Sequence, residues 1–241
     1  MKQIAFLGAA EKSHLLLVLG KVLVKAGLKV LLVDSTIAQT VRGYIPSLNT
    51  KPAAFVTEFE GLDVAAGFIN RAQLEQYFQH VEGIFPEYDL MLIDTDHTNF
   101  IKGYELPDMT ARIWCQSLDK LVLQKNAELM QRLCLAEFAE QPLPFSKLTL
   151  SVVPTTMSEA YFESLQTSPG IRWQEPALRL PLDEGNVSAM LDNQHHERIV
   201  AKRLSGSYQR TVQELFQLVS GLDRRTAQSA LKRTRRERRG T

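Results

Sequence analysis

Two runs, "LKVLLVD" at 28–34 and "YDLMLIDTD" at 88–96, are almost continuously apolar before each ends in acid. A strand with one face in water alternates apolar and polar residues. A continuous run needs cover on both faces, which a parallel sheet flanked by helices provides. Around these runs strand and helix patterns alternate, so the expected fold is α/β, a doubly wound and mostly parallel sheet with helices on both faces.

The remaining elements follow from periodicity. Residues 3–8 read as a buried strand and 12–26 as a helix apolar on most sides, with Gly27 as its C-terminal stop. Residues 35–53 form a polar connector with room for a short helix, and "LDVAAGF" at 62–68 is a third strand. Leu74, Tyr77, Phe78, Val81 and Phe85 recur at helical spacing within 70–85. "DKLVLQ" at 119–124 and "KLTLSVVP" at 147–154 read as strands with a helix near 126–140 between them. A short helix at 158–165, a last strand at 177–183 and helices over 187–222 complete the domain. Leu215, Phe216, Leu218, Val219 and Leu222 are its final inward stripe.

Composition narrows the class. The longest apolar run, Leu15–Leu19, is cut by Gly20 and Lys21, too short to span a bilayer. No secretory signal opens the chain, and Cys115 and Cys134 lack metal or CxxC spacing. Both cysteines are expected to pack as small apolar residues in the reducing cytoplasm. The net charge of +1 conceals an asymmetry. Residues 223–241 carry eight Lys/Arg against two acids, net +6, while residues 1–222 carry 20 basic and 25 acidic groups, net −5. The division expected is a domain at 1–222 and a basic tail at 223–241.

The loop "GAAEKSH" between the first strand and its helix lies where phosphate-binding loops lie. Such loops use glycine for positive φ and for close approach of backbone N–H groups to phosphate. A Lys then bridges phosphate oxygens, and a Ser or Thr hydroxyl holds Mg²⁺. The segment resembles the K-G-G-x-G-K-[ST] loop of the MinD/ParA family (SIMIBI class) of dimerising ATPases. In that register Gly8, Lys12 and Ser13 fall on family positions. Phe6, Ala9 and Glu11 replace glycines, and Leu7 replaces the signature Lys that reaches the partner's nucleotide. The Walker A motif is therefore degenerate.

Glu11 is the decisive change. A carboxylate about 4 Å from a phosphate charge costs roughly 4 kcal/mol per charge pair at an effective dielectric near 20. A Cβ forced to positive φ would add roughly 1–2 kcal/mol. At a helix N-terminus, by contrast, a carboxylate is favourable by roughly 0.3–1 kcal/mol, so Glu11 is expected to occupy the anion position itself.

The resemblance extends to the acidic strand ends. Asp34 falls on the first acid of the family's D-x-D, whose second acid is Thr36 here. Asp94 falls on the Walker B acid, followed by Thr95, Asp96, His97 and Thr98 instead of x-P-A-G. Farther on, "LPLDEGNVSAMLDNQ" resembles the family's P-x-D segment through Pro181, Asp183, Val187 and Ala189, while Pro154 or Thr155 stands where an adenine-reading Asn is expected. The resemblance implies vestigial catalytic positions at Asp34 and Asp94, and nucleotide-site positions at Gly8, Glu11, Lys12, Ser13, Asp34, Asp94 and Asp96. Ser13 and Asp94 would meet a metal only with Mg-ATP bound, so the cofactor expected is none, or ATP/Mg held weakly.

Arg224, Arg225, Lys232, Arg233, Arg235, Arg236, Arg238 and Arg239 are the candidate anionic-surface contacts. With only Ala227, Ala230 and Leu231 as apolar residues, the tail would insert weakly in a membrane but could be held by charge. Nucleic-acid backbone fits the same charge and is the less favoured partner. A solubilising disordered tail is the plain alternative. The resemblance implies a non-hydrolysing localisation or assembly adaptor for a membrane-associated machine of pilus or secretion type, akin to the CpaE/TadZ branch. Its location would be cytoplasmic or peripheral at the inner membrane face, with a homodimer as one assembly. Two alternatives stand beside it: an atypical ATP-binding dimerising ATPase, and a nucleic-acid-binding partitioning protein.

Overall fold

A computed structural model of the protein describes residues 1–46 and 53–236. Its strands are β1 (Lys2–Leu7), β2 (Val30–Asp34), β3 (Phe55–Phe59), β4 (Leu62–Ala66), β5 (Leu90–Thr95), β6 (Ala111–Gln116), β7 (Leu143–Val152) and β8 (Ile171–Pro181). They form one sheet in the order β3-β4-β2-β5-β1-β6-β7-β8, parallel except for the β3–β4 hairpin. The helices are α1 (Ser13–Lys25), α2 (Arg71–Glu82), α3 (Lys120–Arg132), α4 (Glu159–Ser164), α5 (Glu184–His195), α6 (Gly206–Ser220) and α7 (Arg224–Arg236). The doubly wound α/β expectation holds.

The continuous apolar runs occupy the centre for the reason the sequence suggests. In β1, Ile4 and Phe6 enter one core with α1, α6 and α7, while Ala5 and Leu7 enter the other with α2 and α3. β2 divides in the same way, Leu32 to the first core and Leu31 and Val33 to the second. In parallel register Asp34 lies beside Asp94, and Phe6 beside Asp94 on the other side. The two acidic strand ends are thus neighbours at the carboxyl edge.

Several expectations are corrected. Residues 119–124 are not a strand: Asp119 accepts hydrogen bonds from the Leu121 and Val122 N–H groups and starts α3. The strand in that region is β6, whose Arg112 is accommodated by donating to the Leu106 and Met109 carbonyls. β3 arises within the segment before residue 62 and turns back through Glu60 and Gly61, both at positive φ. The connector does carry a short 3-10 turn, Thr40–Gly43. Val81, Leu218 and Leu222 are exposed, so the stripes assigned to α2 and α6 are narrower than their spacing suggests. Cys115 is buried as expected, but Cys134 is exposed.

The largest correction concerns the tail. Residues 224–236 form a helix packed on α1, α6 and the Ala201–Arg203 turn. Ala227, Ala230, Leu231 and Thr234 are buried there, so the apolar faces do not end at Leu222. A disordered solubilising tail is therefore excluded for this segment. Arg224, Arg225, Lys232, Arg233, Arg235 and Arg236 are all exposed on its outer side, while Arg238 and Arg239 lie outside the described residues. Among the described residues no helix is long and apolar enough to cross a membrane.

Candidate functional site

The site expected at residues 8–13 sits at the carboxyl edge, where β1 leads into α1. Gly8 is required by its surroundings. Its φ is +128°, and a Cβ there would come 2.1 Å from the Cys115 carbonyl oxygen. Beyond Gly8 the loop takes a course that needs no further glycine. Ala9, Ala10 and Glu11 are not among the non-glycine residues at positive φ, so the strain expected at Glu11 is absent. The Ala9 N–H donates to Asn126 Oδ1 at 2.7 Å, and Asn126 Nδ2 donates to the Cys115 carbonyl. This buried α3 side chain thus satisfies one of the loop's N–H groups.

Glu11 closes the N-terminus of α1. Its Oε1 accepts the Ser13 N–H at 2.7 Å, and its Oε2 accepts the Thr40 hydroxyl at 2.5 Å. Since Thr40 gives its proton to Glu11, Ser13 Oγ is the donor in the 2.6 Å Ser13–Thr40 contact. The three residues form a closed ring, and the hydroxyl that would hold Mg²⁺ is spent on Thr40. A carboxylate at this helix end is also favoured by the helix dipole.

Lys12 points inward. Its Nζ donates to the Gly8 carbonyl at 2.8 Å and the Ala10 carbonyl at 3.3 Å, and pairs with Asp94 Oδ1 at 2.5 Å. Both partners are buried, Lys12 with 3 % and Asp94 with 2 % of its surface exposed. Burial opposes the Lys12 charge, but Asp94, Cys115 and Glu11 outweigh it and hold the ammonium pKa above its ordinary value. Burial, helped by Asp34 and Glu11 and opposed by Lys12, pushes the Asp94 carboxyl up to about 7. Burial likewise raises Asp34.

Asp34 serves its own strand end. It accepts from the Thr36 N–H, the Thr36 hydroxyl and the Val41 N–H, fixing the segment that follows β2. Asp96 accepts from the Ile37 N–H, whereas His97 Nδ1 accepts from the Asn99 N–H. These contacts are separate, so adjacency in the chain has not made the two residues an acid/base pair. Leu7 is fully buried in the second core and cannot reach a partner molecule.

A cleft beside the loop is lined by Glu11, His14, Leu150, Leu180, Asp183 and Tyr208. Asp183 caps α5 through the Asn186 N–H, Ala189 is buried behind it, and Val187 lines the cleft rim. His14 is buried in a polar network. Asn193 Oδ1 accepts from the Val200 N–H, which orients its Nδ2 to donate to His14 Nε2 at 2.9 Å. His14 Nδ1 therefore carries the proton and donates to the Tyr208 hydroxyl at 2.7 Å. Burial lowers the His14 pKa to about 4. Pro154 and Thr155 lie outside this cleft, and Thr155 lines a separate groove with Asp119, Met157 and Tyr161.

The sequence reading grouped Gly8, Glu11, Lys12, Ser13, Asp34 and Asp94, and these residues lie at one edge of the sheet, with Asp96 on the adjoining loop. It missed Thr40, Asn126, Tyr208 and Asn193. Each reaches the site from a distant chain position, and no local pattern marks it.

The sheet order, the β1–loop–α1 junction and the paired acids define the architecture. It is the ParA/MinD P-loop fold. Solved structures with this fold include the McdA–ATP complex from Cyanothece, with a TM-score of 0.57, 10 % identity, and coverage of 92 % of this chain and 97 % of that one. A ParA family ATPase from Chlorobium tepidum gives 0.53 and 12 %, covering 97 % of each chain. The MinC:MinD cell division complex from Aquifex aeolicus gives 0.52 and 12 %, covering 89 % of this chain and 96 % of that one. No protein-family description matches the sequence, and no curated protein does.

The residues present do not fit Mg-ATP in this arrangement. The groups that the sequence resemblance would set against triphosphate and metal are committed to one another: Lys12 to Asp94, Ser13 to Thr40, and the α1 N-terminus to Glu11. Three carboxylates, Glu11, Asp34 and Asp94, surround one ammonium, which makes the locale net negative and unfavourable to a polyphosphate.

Proposed function

We propose that this protein is a pseudo-ATPase of the ParA/MinD fold that works as a localisation or assembly adaptor, holding a protein partner of a membrane-associated machine of pilus or secretion type. The observation that carries this reading is the closed Glu11–Ser13–Thr40 ring beside the buried Lys12–Asp94 pair. Among proteins with this fold, McdA is solved with ATP and MinD with the protein MinC. The loop chemistry here favours the second kind of ligand, a protein.

The basic side of α7 supplies a contact for an anionic surface. Because Ala227, Ala230 and Leu231 are spent in the core, contact there is by charge alone, through Arg224, Arg225, Lys232, Arg233, Arg235 and Arg236. A membrane helix uses a free apolar face, and α7 does not have one. Anionic lipid remains the partner in keeping with a membrane machine, and nucleic acid is the alternative partner.

Titration calorimetry with ATP and Mg²⁺ tests the central claim. Binding should be weaker than about 1 mM, which corresponds to roughly −4 kcal/mol. Glu11→Gly should strengthen any residual binding by removing the competing carboxylate. Micromolar affinity in the wild-type protein overturns the pseudo-ATPase reading.

A further inference from the structure

We propose that Glu11 is a built-in ligand: its carboxylate stands where an external anion would sit and ties residues 35–43 to the loop. The inference rests on the reading of this loop as one that has given up nucleotide, and it adds what replaced nucleotide.

The argument begins with the two oxygens of one carboxylate. Oε1 takes the backbone N–H of Ser13, the first residue of α1, and Oε2 takes the hydroxyl of Thr40, the first residue of the 3-10 turn after β2. One side chain thus bridges two segments 27 positions apart, and the Ser13 hydroxyl repeats the bridge by donating to Thr40. Charge-assisted hydrogen bonds of this kind are about twice as strong as neutral ones.

The bridged segment is anchored from its other end as well. Thr36 and Val41 donate backbone N–H groups to Asp34, the Gln39 N–H donates to Thr36 Oγ1, and the Ser35 hydroxyl donates to the Asp94 carbonyl. Val41 is fully buried, and Tyr44, just beyond the turn, packs against His14. Gln39 alone sits in left-handed backbone, at φ +48°. Asp34 fixes the segment to the sheet, and Glu11 fixes it to the loop. An incoming anion at the α1 N-terminus must displace Glu11 and take its place against the Ser13 N–H and the Thr40 hydroxyl. The segment is consequently held without a ligand.

Amide hydrogen exchange on the full chain tests this, following peptides that cover residues 35–43. Glu11→Ala and, separately, Thr40→Val should each speed exchange there by roughly tenfold, the fold-change that loss of one helix-capping interaction represents. Glu214→Ala, an exposed substitution on α6, should leave it unchanged. Millimolar inorganic pyrophosphate should slow exchange again in Glu11→Ala and have no effect on wild type or Thr40→Val, in which Glu11 still closes the position. Unchanged exchange in both variants refutes the tether. A wild-type response to pyrophosphate equal to that of Glu11→Ala, or no response in Glu11→Ala, refutes the anion-replacement role. Tight ATP binding by wild type would instead sink the pseudo-ATPase reading, so the two failures are distinguishable.

Discussion

Replacing Leu231 by alanine should destabilise the whole domain, although the residue lies among eight basic residues at the end of the chain. Leu231 retains 3 % of its surface exposure and packs in the same core as Leu16, Val212 and Phe216. Removing its three terminal carbons forfeits about 0.8 kcal/mol each in transfer free energy, and the cavity adds to that, so buried Leu→Ala changes cost roughly 2–5 kcal/mol. A terminal helix can settle into part of the gap, which places the expected loss near 3 kcal/mol. For a chain of this size that is a fall in Tm of roughly 6–12 °C. Urea unfolding with an unchanged m-value is the assay. Lys232→Ala, one residue on and exposed, is the control and should stay within about 0.5 kcal/mol. A Leu231→Ala loss below about 1 kcal/mol, or one equal to the control, would mean that α7 is a detachable appendage.

Three further outcomes follow from the site. Lys12→Ala should cost roughly 3–5 kcal/mol of stability, because it leaves the buried Asp94 carboxyl without its partner. An unchanged melting temperature would show that Lys12 serves a ligand and not the fold. His14 has a folded pKa of about 4 against an ordinary value of 6.5, so its contribution is complete above the unfolded value and fades as pH falls toward 4. At about 1.4 kcal/mol per pKa unit, wild type should lose roughly 3 kcal/mol more than His14→Gln between pH 7 and 4.5, and parallel pH profiles from urea melts would contradict this. Any self-association should be independent of nucleotide, because Leu7 is buried and offers no group to a partner's phosphate. Light scattering with and without ATP–Mg²⁺ should return one mass, and a nucleotide-driven dimer would refute it.

The carboxylate near 7 acts with the opposite sign. Asp94 is more readily protonated in the folded state than its ordinary value of 3.8, so its charge costs stability as pH rises from about 4 through 7. The two groups therefore oppose each other across the same window, and their separate variants are needed to see either one.

What the sequence by itself determined was the centre of the molecule and the address of the site. "LKVLLVD" and "YDLMLIDTD" have no polar face to offer water, so they had to become covered strands; tertiary pairing then set their terminal acids side by side at one edge. The place of Glu11 at the α1 N-terminus was equally legible, since a carboxylate at a helix N-terminus has a definite preference. Tertiary structure decided the rest. "KLVLQ" is short enough to be strand or helix, and Asp119 capping the first turn settled it. β6 was hidden because Arg112 interrupts it, and the carbonyls of Leu106 and Met109, with that of Pro144 in β7, make that burial tolerable. Thr40 became part of the site through a partner 29 positions earlier in the chain. The basic tail became a core helix because α1 is apolar all round and its outer side must be covered. Its buried stripe of Ala227, Ala230 and Leu231 is too small to announce itself by composition, and it has value only against the surface it closes.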